Sequence, residues 1–194
     1  MALDEMADGS SPSAPTVRGI ALLGLLDWVR QTHAEPGLER ALACMSEAAQ
    51  ARYAGPRPKV VATARIPAVD FADLAAAIID AWGLPAYHEA AAHVAISDLN
   101  SYMKLFLKIG TPTFVLRRLP KVLGHYCSTG ELVVVEVHDK TAVLAISGVG
   151  AYGRGISEGA VGWIRAALEL SGAEDLTIET AMNDGGGRYH LRWG

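Results

Sequence analysis

The sequence predicts an α+β fold, with a helical N-terminal half packed on a four-stranded antiparallel sheet that the C-terminal part builds as hairpin, helix, hairpin. Three observations predict it. Apolar residues recur at three- and four-residue spacing from Arg18 to Leu123. The period then changes to β-branched runs, Leu132 to Val137 and Thr141 to Ile146. A helical stretch, Ile156 to Leu170, separates that pair from two more strand-like runs, and a helix on one face of a small antiparallel sheet is the economical packing.

The first helix is expected over Arg18 to Thr32, with Ile20, Leu23 and Leu26 on one side and Trp28 beside them. Pro36-Gly37 should end it, and Leu38 to Tyr53 resumes with Leu42, Met45 and Ala49. Gly55-Pro56-Arg57-Pro58 is a hard break, followed by a short extended segment within Lys59 to Ile66. Asp70 reads as the N-cap of a helix over Phe71 to Trp82, closed by Gly83. Pro85 opens a long helix to about Ile109. Thr111-Pro112 has the form of a cap followed by proline at the first helical position, and Pro120 predicts a kink or an early end. His138-Asp139-Lys140 is a hairpin-sized turn. Gly148 to Gly155 leads into the helix of the second half, which Ser171-Gly172 stops. The last strands, Leu176 to Met182 and Arg188 to Trp193, flank the turn Asn183-Asp184-Gly185-Gly186-Gly187.

At 194 residues the chain suits one domain, residues 17–194, behind a flexible tail over residues 1–16. Such a length buries roughly two-thirds of its unfolded surface without disulfide or metal. Hydrophobic residues make up 51% and charged residues 20%, which excludes a mostly disordered chain. A net charge of −4 argues against a nucleic-acid partner. The two cysteines, Cys44 and Cys127, form no disulfide framework and read as thiols of a reducing compartment. The acidic, serine-rich start lacks the pattern of a signal peptide, and no apolar run reaches transmembrane length, so a cytoplasmic location is expected.

No motif specifies a reaction. Gly148-Val149-Gly150-Ala151-Tyr152-Gly153 satisfies G-x-G-x-x-G, but a dinucleotide site needs a parallel βαβ crossover, and the preceding strand reads as half of a hairpin. A flexible strand-to-helix turn, whose backbone N–H groups could meet a ligand, is the alternative. His88 and His93 are five residues apart, about 140° around a helix, so they do not share a face. No C-x-x-C or H-x-x-x-H occurs, and no metal site is expected. Cys127 beside His125 reads as a buried thiol rather than a nucleophile. No catalytic constellation is present, and the chain is read as not an enzyme. Between Leu99 and Gly130 there is no acidic residue, whereas Lys104, Lys108, Arg117, Arg118 and Lys121 are basic. That edge is either a solvated face or a contact for an anionic partner.

Gly155-Ile156-x-x-Gly159 entering a helix, and the closing Arg188-Tyr189-x-Leu191-x-Trp193, resemble the superfamily that joins heme nitric-oxide-binding domains, 4-vinyl reductase-type domains and the Bet3-like subunits of the TRAPP tethering complex. Val17-Arg18-Gly19-Ile20, Pro67-x-x-Asp70-Phe71 and Phe114-x-Leu116-x-x-Leu119-Pro120 resemble a family of similar length within it, found mainly in myxobacteria. The resemblance covers Val17 to Trp193 and implies a ligand cavity between helices and sheet. The heme branch carries a proximal histidine near an F-L-x-x-L-like helix and a Y-x-S-x-R motif for the propionates. Here Leu116 to Leu123 contains no histidine, His125 follows two residues later, and Y-x-S-x-R does not occur. The last hairpin also lacks the cysteine common in the 4-vinyl reductase branch.

Three readings follow. The first is a non-catalytic regulatory or sensory domain that binds a small apolar ligand, with Phe106, Phe114, Leu119, Tyr126 and Tyr152 near the cavity and no cofactor. The second is a homodimeric scaffold of the TRAPP kind, in which the small residues Ala75–Ala77 and Ala90–Ala92 allow close helix approach. The third is a heme gas sensor, in which His125 would be the iron ligand.

Overall fold

A computed structural model describes residues 14–55, 58–98 and 110–194. The chain opens on a short ribbon. Strand β1 (Thr16–Arg18) pairs antiparallel with β2 (Arg65–Pro67), with Val17 opposite Ile66 and Arg18 opposite Arg65. Alternation buries Val17 and Ile66 and leaves the two arginines on the outer side. Thr16, read from sequence as the end of a tail, is therefore the first residue of a strand.

Helix α1 (Gly19–Ala43) runs through the expected stop at Pro36-Gly37, with the break instead at Ala34 (φ 55°, ψ −166°). That puts Pro36 in the first turn of the following helical segment, where a missing N–H costs nothing. The stretch Leu38 to Tyr53, expected as one helix, is divided. Ser46 caps a separate α2 (Glu47–Tyr53) by accepting from Ala49 N at 3.2 Å.

Helix α3 (Ala68–Trp82) begins two residues before Asp70, so Asp70 is not its N-cap. Its carboxylate is buried and accepts from Arg52 Nη2 and from Tyr53 Oη, both at 2.7 Å. A charged partner and a phenol from α2 outcompete the backbone for this side chain. Gly83 (φ 86°) ends α3 and α4 (Leu84–Asp98) follows at once. The expected continuation toward Ile109, with Lys104, Phe106 and Lys108, lies outside the described residues. Thr111 caps α5 (Pro112–Leu116) by accepting from Phe114 N at 3.3 Å. The helix stops before Pro120, which sits in the first turn of α6 (Leu119–Tyr126).

The sheet has order β3-β4-β6-β5, antiparallel throughout, from β3 (Glu131–Val137), β4 (Thr141–Ser147), β5 (Thr177–Asn183) and β6 (Gly186–Arg192). Both neighbours of β4 are antiparallel to it, which removes the dinucleotide-binding crossover. Instead Gly148 (φ 70°) and Gly150 (φ 63°) turn the chain off β4 in a conformation that side chains disfavour. A single 3₁₀ turn (Gly150–Tyr152) then feeds α7 (Gly153–Leu170). Leu144, Ile146, Tyr189 and Leu191 from the sheet join Ile164 and Leu168 of α7 in one hydrophobic core that reaches from Val17 to Trp193. Among the described residues no helix is long and apolar enough to cross a membrane.

Candidate functional site

Two buried tyrosines fix α7 in place. Tyr87 on α4 donates from its hydroxyl to Gly155 O at 2.7 Å, and Tyr189 on β6 donates to Ser157 O at 2.8 Å. Both aromatic bodies are buried while their polar tips are satisfied on the α7 backbone. Helix α4 then packs so closely on α7 that a Cβ at Gly162 would fall 2.0 Å from His88 O, and one at Gly159 would fall 3.0 Å from Tyr87 Oη. Only glycine admits this approach.

Between these elements lies a cavity of about 100 Å³. Val17, Ala21 and Leu25 form one wall, and Phe71, Tyr87, Ala91 and Val94 come from α3 and α4. Helix α6 and the residues after it supply Leu119, Val122, Leu123, Tyr126, Cys127 and Leu132, and α7 supplies Ile156, Gly159, Ala160, Trp163 and Ile164. The lining is almost wholly apolar. Burial pushes the Cys127 thiol up to about 11, despite the Arg65 charge nearby, so it stays protonated and acts as a small apolar wall residue. Trp163 lines the cavity, and its Nε1 is buried with no hydrogen-bond partner.

Of the residues singled out in the sequence, Leu119 and Tyr126 lie on this wall. Phe114 is 37% exposed and carries the Arg118 guanidinium 4.5 Å above its ring, away from the lining. Tyr152 packs against the core from the 3₁₀ turn without lining the cavity, and Phe106 lies outside the described residues. Most of the wall was not singled out, because β1, α1 and α7 are remote in sequence from the stretch that drew attention. Ala75, Ala77, Ala90 and Ala91 are buried in the chain's own packing, whereas Ala76 is exposed and Ala92 half-buried.

Arg117, Arg118 and Lys121 are exposed, with Lys104 and Lys108 outside the described residues. The ribbon brings two further arginines to this edge. Arg18 contacts the His125 ring, and Arg65 donates to Tyr126 O at 3.0 Å and to His125 O at 3.3 Å, favourable partners at the end of α6.

No family model and no curated protein matches the chain. Solved structures do. An Fe(II) unliganded H-NOX protein from K. algicida superimposes with a TM-score of 0.70 at 13% identity, over 91% of this chain and 96% of that one. An oxygen-binding H-NOX domain related to soluble guanylate cyclases gives 0.60 at 13%, over 90% and 93%. A structure concerned with heme redox potential and porphyrin distortion gives 0.58 at 12%, over 90% and 98%. The fold is that of the H-NOX domains.

Heme does not fit the residues described. A cavity of about 100 Å³ is below the range of about 300–1,000 Å³ that drug-sized ligands occupy. All six histidines of the sequence are described, and none lines the cavity. His33 stacks on Trp82 at 4.1 Å, His88 meets Glu158 at 3.2 Å and His93 meets Asp27 at 3.1 Å. His125 is exposed beside Arg18, His138 is exposed in the turn between β3 and β4, and His190 is exposed on β6. The stretch Tyr126-Cys127-Ser128-Thr129-Gly130 has tyrosine and serine at the spacing of Y-x-S-x-R but glycine where that pattern has arginine. Ser128 Oγ accepts instead from Thr16 N at 2.8 Å, tying β1 to the end of α6. Among the described residues no group of three or more histidine, cysteine, aspartate or glutamate side chains could hold a metal ion.

Proposed function

We propose that this chain is a non-catalytic sensory or regulatory domain that binds a small apolar molecule, without heme, in the cavity among its helices. The observation that carries the reading is the cavity's lining, which is apolar on every wall. A void of this chemistry stays dry and takes apolar guests; one of about 150 Å³ is enough for benzene. A guest of a few heavy atoms is the right size. The stretches that resemble the myxobacterial family fall on β1 and the start of α1, on β2 and α3, and on α5 and α6; of these elements β1, α1, α3 and α6 supply cavity walls, which supports the same reading. In this reading α6 is the output element. Its inner side carries Val122, Leu123 and Tyr126, and its outer side presents Lys121 and His125 to an acidic partner.

Methyl-resolved NMR under xenon pressure and with butanone tests the proposal. Shifts confined to cavity residues such as Leu25, Val94 and Ile164 are expected, and filling the void with Ala91→Leu should abolish them. No perturbation by either probe would contradict the reading.

A further inference from the structure

On the opposite side of α7 from the cavity, its first turns and the β5–β6 turn enclose a second, polar cleft of about 470 Å³, within the size range of small-molecule sites. Its walls are Arg154, Ser157 and Glu158 from α7 and Met182, Asn183, Asp184 and Gly186 from the hairpin. We infer that this cleft is a binding site for a small zwitterion of the α-amino-acid class.

Three observations carry the inference. Ser157 is only 2% exposed, and its Oγ is buried with no hydrogen-bond partner, although native proteins rarely leave such a group unpaired. Its own carbonyl is fixed by Tyr189 Oη at 2.8 Å, so the residue is rigidly placed and the vacancy at its hydroxyl is not a consequence of a loose backbone. Second, Arg154 and Asp184 have opposite charge and line the same cleft, yet neither forms an ion pair with the other or with any described residue. Charges that line one cleft without neutralising each other suit the two ends of one ligand. The guanidinium takes a carboxylate, with Ser157 Oγ–H as a further donor, and the Asp184 carboxylate takes an ammonium group. Third, the remaining polar groups are already committed in ways that leave those roles open. Glu158 is held by His88 Nε2 at 3.2 Å, and Asn183 Oδ1 accepts from Gly185 N at 2.9 Å, which turns its carbonyl toward the turn and leaves its amide N–H₂ as a donor.

The cleft also gives a use to the glycine-rich stretch that fails as a dinucleotide motif. Gly148 and Gly150 set the direction in which α7 leaves the sheet, and with it the positions of Arg154 and Ser157. This site is independent of the apolar cavity, which uses Ile156, Ala160 and Trp163 of the same helix.

Backbone amide NMR of the full chain, titrated with a panel of free amino acids and with acetate, methylamine and inorganic phosphate, tests the inference. At least one amino acid should give saturable shifts centred on residues 154–158 and 183–186. Arg154→Gln and Asp184→Asn should each weaken it about tenfold or more, the scale of a lost charge-assisted hydrogen bond. Ser157→Ala should weaken it by a smaller factor. Circular dichroism of each variant should match the parent chain, since Arg154 and Asp184 are surface groups. No shift with any amino acid up to about 10 mM, well above a millimolar dissociation constant, would overturn the proposal. So would acetate or phosphate binding as tightly as the best amino acid, or an affinity unchanged by Asp184→Asn.

Discussion

Cys127 and the three tyrosines buried with it give the fold a marked alkaline sensitivity. Burial raises the Cys127 thiol from 9.0 to about 11 and pushes Tyr53, Tyr87 and Tyr189 upward as well. Between pH 9 and 11 the unfolded chain has released the cysteine proton while the folded chain retains it, so the folded state binds more protons and stability falls as pH rises. Urea midpoints should therefore drop across that window, and Cys127→Ala should flatten the decline. The same burial makes Cys127 inert, and alkylation at neutral pH should label the exposed Cys44 alone until denaturant is added. Asp70 is the other decisive residue. Replacing it with alanine leaves Arg52 and Tyr53 without their acceptor and is expected to cost about 1–3 kcal/mol, softened because the Arg52 side chain is 40% exposed. A double-mutant cycle with Tyr53→Phe would separate the phenol's share. The buried Cys127 thiol was legible in the sequence, whereas the Asp70 network was not. Asp70 reads there as a cap because its competing partners lie on another helix, and Trp163 is one apolar position among many until its N–H is seen to be orphaned.

Among the elements, α7 is the one on which both candidate sites depend, and its contact with α4 sets the cavity's size. Gly162→Ala would place a methyl group against the His88 carbonyl, a backbone atom that cannot rotate away. The expected cost is about 2–3 kcal/mol, at the upper end for overpacking, read as a lowered denaturation midpoint. Helices and strands were largely legible because their periods are local: the turn at Gly83, the proline stop before α6 and the four antiparallel strands all follow from short stretches of sequence. What escaped was set by distant partners. The ribbon of β1 and β2 pairs two three-residue segments from either side of two helices; the extended segment expected within Lys59 to Ile66 meets β2 at Arg65 and Ile66, but no local pattern marks β1 or the pairing. The kink at Ala34 likewise precedes the proline that signals it, because proline is tolerated in a first turn and the break moves upstream.

At the scale of the whole molecule, an H-NOX fold carries, among the described residues, an apolar cavity of about 100 Å³ with no histidine on its walls. The fold class was readable in the sequence; a ligand cavity was implied by the family resemblance alone, and the cavity present lies among the helices, with Leu132 as the sheet's one contribution to its lining. The wall itself was not readable, because it is assembled from β1, α1, α3, α4, α6 and α7. Leu119 and Tyr126 stand on it because α6 turns that side inward; Phe114 does not, because the five-residue α5 presents it to solvent beneath Arg118. If the basic edge receives an acidic partner, Arg117→Glu with Lys121→Glu should weaken that complex and its salt dependence while leaving the urea midpoint unchanged, since both side chains are exposed. The most direct test of the central claim is an absorbance spectrum, paired with native mass spectrometry, of protein purified from cells supplied with heme. The expected result is no Soret band and a mass equal to the chain alone or to the chain with a small apolar guest that leaves on denaturation. A stoichiometric Soret band, with a mass increase equal to heme, would contradict it.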